Sequence, residues 1–250
     1  MGIGRALALQ WGARGAIVVL SARGREALED VGREVEAAGG RAIVEPGDIT
    51  DEEHRLRLVT RAEREGGGVD VLVNNAGRGF YAPVLKIDTA EMRALFDLNV
   101  VAPLRLVQLA APHLERARGT VVMMSSVAGV VAAPRYGAYA ASKFALEALS
   151  MAMRSELAEK GIRVVVVRPG PVATPFRSNA VRARGMVGYD APDPNAQSAE
   201  AVAKLTLRAV DRAKPIVETS TFVRLASAAS RVTPSGLRFA LKRMASRPAS

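Results

Sequence analysis

The chain contains no cysteine. Disulfide frameworks, thiolate nucleophiles and cysteine-ligated zinc are therefore excluded, and a reducing, cytoplasmic setting is the natural expectation. Histidine is scarce as well. His54 and His113 stand in charged, helix-like stretches, which predicts surface positions, and no His/Asp/Glu spacing makes a metal site. Aromatic residues make up 4% of the chain, and neither an aromatic platform nor helix-turn-helix spacing supports nucleic-acid binding. No uncharged apolar run approaches the roughly 18 residues of a membrane-spanning helix; the longest, such as 16–20 and 164–167, are of strand length. At the start, Gly2, Gly4, Gly12, Arg14 and Gly15 interrupt the apolar core that a secretion signal needs. Ala6 stands where myristoylation wants Ser or Thr.

What is present is enough for one large domain: 250 residues, 49% of them hydrophobic and 24% charged. The net charge of +10 is uneven. Residues 201–250 hold ten Lys/Arg against Asp211 and Glu218, whereas residues 1–200 carry 25 basic against 23 acidic side chains. That distribution describes a near-neutral globular body with a basic C-terminal arm, and so local surface attraction.

Short β-branched runs alternate with long helical patterns. Strands are predicted at 16–20, 41–45, 69–74, 119–125, 162–167 and 216–218, with helices at 4–13, 25–38, 51–65, 89–116, 139–160 and 199–213. This alternation predicts an α/β fold: a Rossmann-like, doubly wound parallel sheet covered by helices on both faces, in three α/β/α layers. The segment 176–198, with Pro192 and Pro194, reads as a mobile lid.

Four local patterns follow one another in the chain. Gly2-Ile3-Gly4 opens a helix, where glycines let the backbone approach a pyrophosphate and the helix start supplies N–H groups and a positive dipole end. The apolar strand 71–74 runs into Asn75-Ala76-Gly77, a polar turn at the carboxyl edge of the sheet where ligands bind. Tyr139 and Lys143 share one helix face by their i, i+4 spacing. An ammonium beside the phenol would lower a pKa that starts near about 10, so that the phenol can protonate a carbonyl oxygen. Ser126, at a strand end, would hydrogen-bond that oxygen as charge develops. Its neighbour Ser125 points to the opposite side of the strand, and Tyr136 has Ala140 four residues on. Last comes Arg168-Pro169-Gly170-Pro171-Val172-Ala173-Thr174, a loop whose path the prolines fix. Each pattern alone has a plain structural reading: flexible backbone, an Asn-Gly turn, a solvated helix face, a Pro-Gly turn. Their joint order argues for chemistry. No Gly-x-Ser-x-Gly elbow surrounds either serine, which disfavours serine hydrolase chemistry.

Together these patterns resemble the short-chain dehydrogenase/reductase family across nearly the whole chain. The resemblance assigns catalysis to Ser126, Tyr139 and Lys143, with the thirteen-residue step from Ser126 to Tyr139 matching, and adds Asn99, which supports a water chain to Lys143. It makes Gly2, Ile3 and Gly4 the tail of the glycine-rich loop and puts Asn75, Ala76 and Gly77 on the adenosine side of the cofactor. Pro169, Gly170, Val172 and Thr174 fall beneath the nicotinamide, with Thr174 and the backbone near Val172 holding its carboxamide. Asp48 and Ile49 match an adenine-contacting pair, although Asp48 before Thr50 and Asp51 reads equally as a helix-cap neighbourhood. NAD-using members carry Asp where Ala22 stands, and Arg23 beside it suits a 2′-phosphate, so NADP is favoured over NAD.

The activity implied is interconversion of a carbonyl and a secondary alcohol on a hydrophobic small molecule, in a pocket lined by Phe80, Tyr81, Val130, Val131, Arg135, Tyr136 and Phe176. Residues 1–221 form the catalytic domain on this reading, and 222–250 a basic amphipathic extension. A homo-dimer or tetramer would form through the helices at 89–116 and 139–160. The arm could rest on an anionic membrane surface, attract an acidic carrier protein, or be a solvated helix pair. One departure stands out. Full members begin with a strand and a Thr-Gly-x-x-x before the Gly2 equivalent, and neither is present. The expectation is a missing first strand, a gap of roughly 10 Å in the sheet, and a chain that is a fragment or starts at a mis-assigned position. The alternative function is then a cofactor-incompetent relative acting as a binding or assembly partner.

Overall fold

Short apolar strands and capped helices alternate along the chain, and the computed structural model, which describes residues 2–184, 186, 193 and 196–232, folds them into three layers. In order they are α1 (Gly2–Gly12), β1 (Ile17–Leu20), α2 (Arg25–Ala37), β2 (Arg41–Val44), α3 (Glu52–Gly66), β3 (Val71–Asn74), β4 (Phe80–Tyr81), α4 (Thr89–Phe96), α5 (Ala102–Ala117) and β5 (Thr120–Met124). There follow α6 (Gly137–Glu156), β6 (Arg163–Arg168), β7 (Val181–Arg182), α7 (Ala199–Asp211), β8 (Ile216–Glu218) and α8 (Thr221–Val232). Helix starts are set by side-chain caps that satisfy otherwise orphaned amides: Asp51 accepts from Glu53 N, Asp88 from Ala90 N and Glu91 N, and Ser198 from Ala201 N. Gly67, at φ 81°, ends α3 in the left-handed conformation that glycine adopts without a Cβ penalty.

The strands pair in parallel throughout. Alternation on β5 and β6 builds the two faces. Val122, Met124, Val165 and Val167 pack against Ala6 and Leu7 of α1 and Val202, Ala203 and Leu207 of α7. Val121, Met123, Val164 and Val166 pack against Val107, Ala110 and Leu114 of α5 and Leu146 and Met153 of α6. Each buried Val, Leu or Met contributes about 1.5–3 kcal/mol over its exposed state.

The sheet is divided. β3-β5-β6-β8 form one four-stranded ladder and β1-β2 a separate two-stranded one, with no hydrogen-bonded pairing between β1 and β3. On β1, Ile17 is exposed and Val18 and Val19 half-buried, and Val71, Leu72 and Val73 of β3 are half-buried too, whereas every residue of β5 is buried. The division falls where the sequence expects the first strand to be missing.

Several expectations need correction. His54 and His113 are buried rather than on the surface. Their charged neighbours face outward on the same helices, and each imidazole turns inward: His54 Nε2 lies 2.8 Å from Ser21 Oγ, and His113 Nδ1 lies 2.7 Å from a nitrogen of Arg116. The helix expected unbroken over 89–116 contains a π-turn at Asp97–Val101 between α4 and α5. Thr89–Ala117 is also long and apolar enough, at mean hydropathy 1.4, to cross a membrane by length and composition alone. Its apolarity has a local account, because Leu95, Leu106, Val107 and Leu114 are buried in the core. The predicted extension begins inside the fold, for Val223 and Ser227 of α8 are buried; the rest of the arm, 233–250, lies outside the described residues. Of the lid segment, Pro192 and Pro194 likewise lie outside them. Its described part is anchored, by β7 pairing with β4 and by Arg177 to Asp193 at 3.2 Å.

Candidate active site

β5 delivers the first catalytic candidate. After Met124 the chain leaves the carboxyl edge of the sheet, and Ser126 caps a short 3-10 turn, its Oγ accepting from Ala128 N at 3.1 Å. Ser126 also shares a hydrogen bond with the Tyr139 phenol. Tyr139 sits in the first turn of α6, buried, with Phe176 against it at 5.7 Å between ring centroids. One turn on, Lys143 is buried as well, its Nζ 5.9 Å from the Tyr139 ring centroid and donating to Met124 O at 2.8 Å.

Electrostatics here differ from the sequence expectation of a lowered phenol. Burial pushes Tyr139 up to about 12, opposed by its hydrogen bond with Ser126. Burial also pushes the Lys143 ammonium down to about 8, with Glu147 opposing. Desolvation of the phenolate, the largest influence on Tyr139, explains the difference.

Asn99 sits on the π-turn, which turns its side chain inward. Its Oδ1 accepts from Arg78 N at 3.0 Å, and its Nδ2 donates to Arg78 O at 3.1 Å and Ser142 Oγ at 3.0 Å. A Cβ on Gly77 would stand 3.2 Å from Asn99 Oδ1 and 3.6 Å from Lys143 Nζ. The turn after β3, the π-turn and α6 thus meet at one point. Ser142, which ties Asn99 to Tyr139 O, is a partner that sequence reading missed; only its place on the Tyr139 helix, three residues on, pointed to it.

The cofactor candidates converge at the start of α1. Gly2, at φ +65°, has Thr174 Cγ2 3.3 Å from its Cβ position, and Gly4 has Asn75 Nδ2 at 2.8 Å from its own. No side chain fits at Gly4 without displacing Asn75. The glycine turn, the turn after β3 and the loop after β6 therefore come together at the start of α1, and close glycine backbone at a helix start fits a pyrophosphate. Ile3 packs on the core behind it. Val172 bridges to Gln197, fixing the loop that also carries Pro169 and Gly170. Beyond β1, Gly47 N donates to Ala22 O at 3.0 Å, which sets the Arg23 loop beside Asp48. Asp48 Oδ1 accepts from Thr50 N at 2.9 Å and Thr50 Oγ1 at 2.7 Å; these bonds, and the nearby Arg23 charge, hold its carboxyl below the usual range. Ile49 offers its carbonyl to Arg55 at 2.7 Å. Beneath both loops lies His54, whose ring occupies the space that any side chain on Gly47 would need. Burial lowers its pKa.

Among the described residues no His/Asp/Glu group could hold a metal ion. The pocket side is apolar: Phe80, Ala82, Leu95, Ala128 and Tyr139 form a buried cluster with Tyr136 and Phe176 against it, and Tyr81 and Tyr136 stack edgewise at 4.7 Å.

The family model for short chain dehydrogenases matches residues 1–185. Among curated proteins, dehydrogenase/reductase SDR family member 7B of Mus musculus is 33% identical over 254 residues, covering 98% of this chain and 78% of its own. Glycine betaine reductase ATRR of Emericella nidulans is 35% identical over 192 residues, 76% of this chain. The chain spans 15% of that reductase and 62% of short-chain dehydrogenase PC-15 of Penicillium crustosum. Of solved structures, a short-chain dehydrogenase from Streptomyces avermitilis superposes with a TM-score of 0.80 at 28% identity, over 97% of this chain and 91% of that one. A metagenomic short-chain oxidoreductase in complex with NADP gives 0.71 at 31% identity, over 87% and 90%.

Proposed function

Because this chain belongs to the short-chain dehydrogenase family, we propose that it is an NADP-dependent oxidoreductase interconverting a carbonyl and a secondary alcohol on a hydrophobic small molecule. The observation that carries this reading is the meeting of Ser126, Tyr139, Lys143 and Asn99 beside the cradle of Gly2, Gly4, Asn75 and Thr174. NADPH held by Gly2, Gly4, Asn75 and Thr174 would supply the hydride that the carbonyl carbon takes up. Tyr139 gives its phenolic proton to the carbonyl oxygen, while Ser126 donates a hydrogen bond to that oxygen as negative charge builds on it. Lys143, as an ammonium, stabilises the phenolate left behind. Asn99 holds the turn at Arg78 and Gly77 in place beside it. The buried aromatic cluster excludes water and favours an apolar substrate.

The sign of the pH dependence follows. Lys143 is a cation below about 8 and neutral above it, so the reductive kcat/KM falls as pH rises through about 8, while Tyr139 keeps its proton. A pH profile on Lys143→Met should be lower throughout and lack that inflection. An unchanged inflection in this variant would assign it to another group.

NADP preference rests on Arg23, with no acidic residue at Ala22. Nicotinamide fluorescence titration should show NADPH binding at least about tenfold tighter than NADH, a gap of about 1.4 kcal/mol. Arg23→Ser should close most of that gap through the NADPH arm alone. Equal affinities in the parent chain would overturn the preference.

The same reading makes the protein a cytoplasmic homo-dimer or tetramer, supported by Val101, Phe144 and Met151, large apolar side chains exposed on the helical stretches that carry Asn99 and Tyr139. It gives the C-terminal arm a peripheral membrane contact. The alternative is a cofactor-incompetent relative acting as a binding or assembly partner. If the titration shows binding of neither nucleotide, that alternative stands.

A further inference from the structure

We propose that the outer face of α8 is a docking surface for an anionic lipid bilayer, placed so that the membrane meets the rim of the candidate active site. This rests on the dehydrogenase reading for its purpose, the uptake of an apolar substrate from lipid, and on α8 itself for its physics.

α8 buries one side, through Val223 and Ser227, and leaves the other bare. Phe222, Leu225 and Val232 are 60%, 65% and 78% exposed, and their spacing of three and seven residues lays them along one stripe of the helix. Arg224 is exposed beside them. From Thr221 to Ser250 the sequence carries six Arg/Lys and no Asp or Glu. Protruding apolar side chains flanked by one sign of charge are the composition of a helix that lies in a bilayer surface, the stripe entering the acyl boundary and the cations meeting anionic headgroups.

Position ties this face to the site. Phe222 Cδ1 lies 3.8 Å from the Cβ position of Gly170, so the start of α8 adjoins the loop after β6. Val84 and Leu85 are also exposed, and Val84 Cγ2 lies 3.6 Å from the Cβ position of Gly137, at the start of the Tyr139 helix.

The test is sedimentation of the full chain with vesicles of phosphatidylcholine alone and with about 30% phosphatidylglycerol. Binding should be at least about tenfold stronger to the anionic vesicles and should be lost at about 0.5 M salt. Leu225→Ser/Val232→Ser should weaken it by about tenfold or more while the melting temperature and the NADPH titration stay unchanged. Equal binding to both vesicle types, or full binding by the double variant, overturns the proposal. So does a double variant that turns a larger oligomer into a smaller one in light scattering without vesicles, for the stripe then joins copies of this chain. Loss of NADPH binding by the parent chain with vesicle binding intact would count against the dehydrogenase reading alone.

Discussion

Tyr139→Phe is expected to lower kcat for carbonyl reduction by about 10²–10⁴-fold, with NADPH affinity nearly unchanged. The substitution removes one oxygen and leaves the ring, its contact with Phe176 and the packing of α6 in place. What disappears is the phenolic proton that Ser126 positions, so the developing alkoxide must be neutralised by water in a site lined with apolar side chains. The readout is steady-state reduction of an apolar aldehyde or ketone beside a nucleotide titration. A fall smaller than about tenfold would move the acid role to another group, and a parallel loss of NADPH affinity would make Tyr139 a binding residue instead.

Arg168→Met is expected to cost about 3–5 kcal/mol of folding stability, on the order of 10 °C in melting temperature. Arg168, at the end of β6, is 5% exposed and forms a bidentate pair with Glu147 of α6, Nε to Oε1 at 2.9 Å and Nη2 to Oε2 at 2.8 Å. Its remaining nitrogen reaches Glu218 of β8 at 3.2 Å and Ser227 of α8 at 3.5 Å. Four elements are joined by one guanidinium. Removing it strands two largely buried carboxylates, which is far more costly than an exposed pair such as Arg14 to Asp211. Thermal unfolding of Arg168→Met beside Arg168→Met/Glu147→Met/Glu218→Met separates the causes: the triple variant should recover much of the loss. A single variant within about 1 kcal/mol of the parent would show that water satisfies the carboxylates.

Much of this was legible in the sequence, for reasons that differ by element. The strands at Val121–Met124 and Val164–Val167 were readable because both faces of a central parallel strand are apolar. Tyr139 and Lys143 were readable because helical spacing alone places them on one face. Three features were not. The π-turn around Asn99 depends on a single extra residue per turn, which leaves no mark in apolar periodicity. His54 was misjudged because its charged neighbours describe the outer side of α3, while its own partners, Ser21 and Gly47, are remote in sequence. Arg168 was noted only as the first letter of a loop motif, since a pair of glutamates 21 residues before it and 50 after it carries no local signal. The phenol of Tyr139 shows the same limit from the other side: spacing brought the ammonium near, but burial, which acts on both groups at once, reversed the direction of the shift.

The packing of His54 has a consequence for two loops at once. Its ring fills the space over Gly47, after β2, while its Nε2 lies 2.8 Å from Ser21 Oγ, after β1. The turn that carries Arg23 and the turn that carries Asp48 are therefore keyed to one side chain of α3, and a smaller residue at that position would loosen both together.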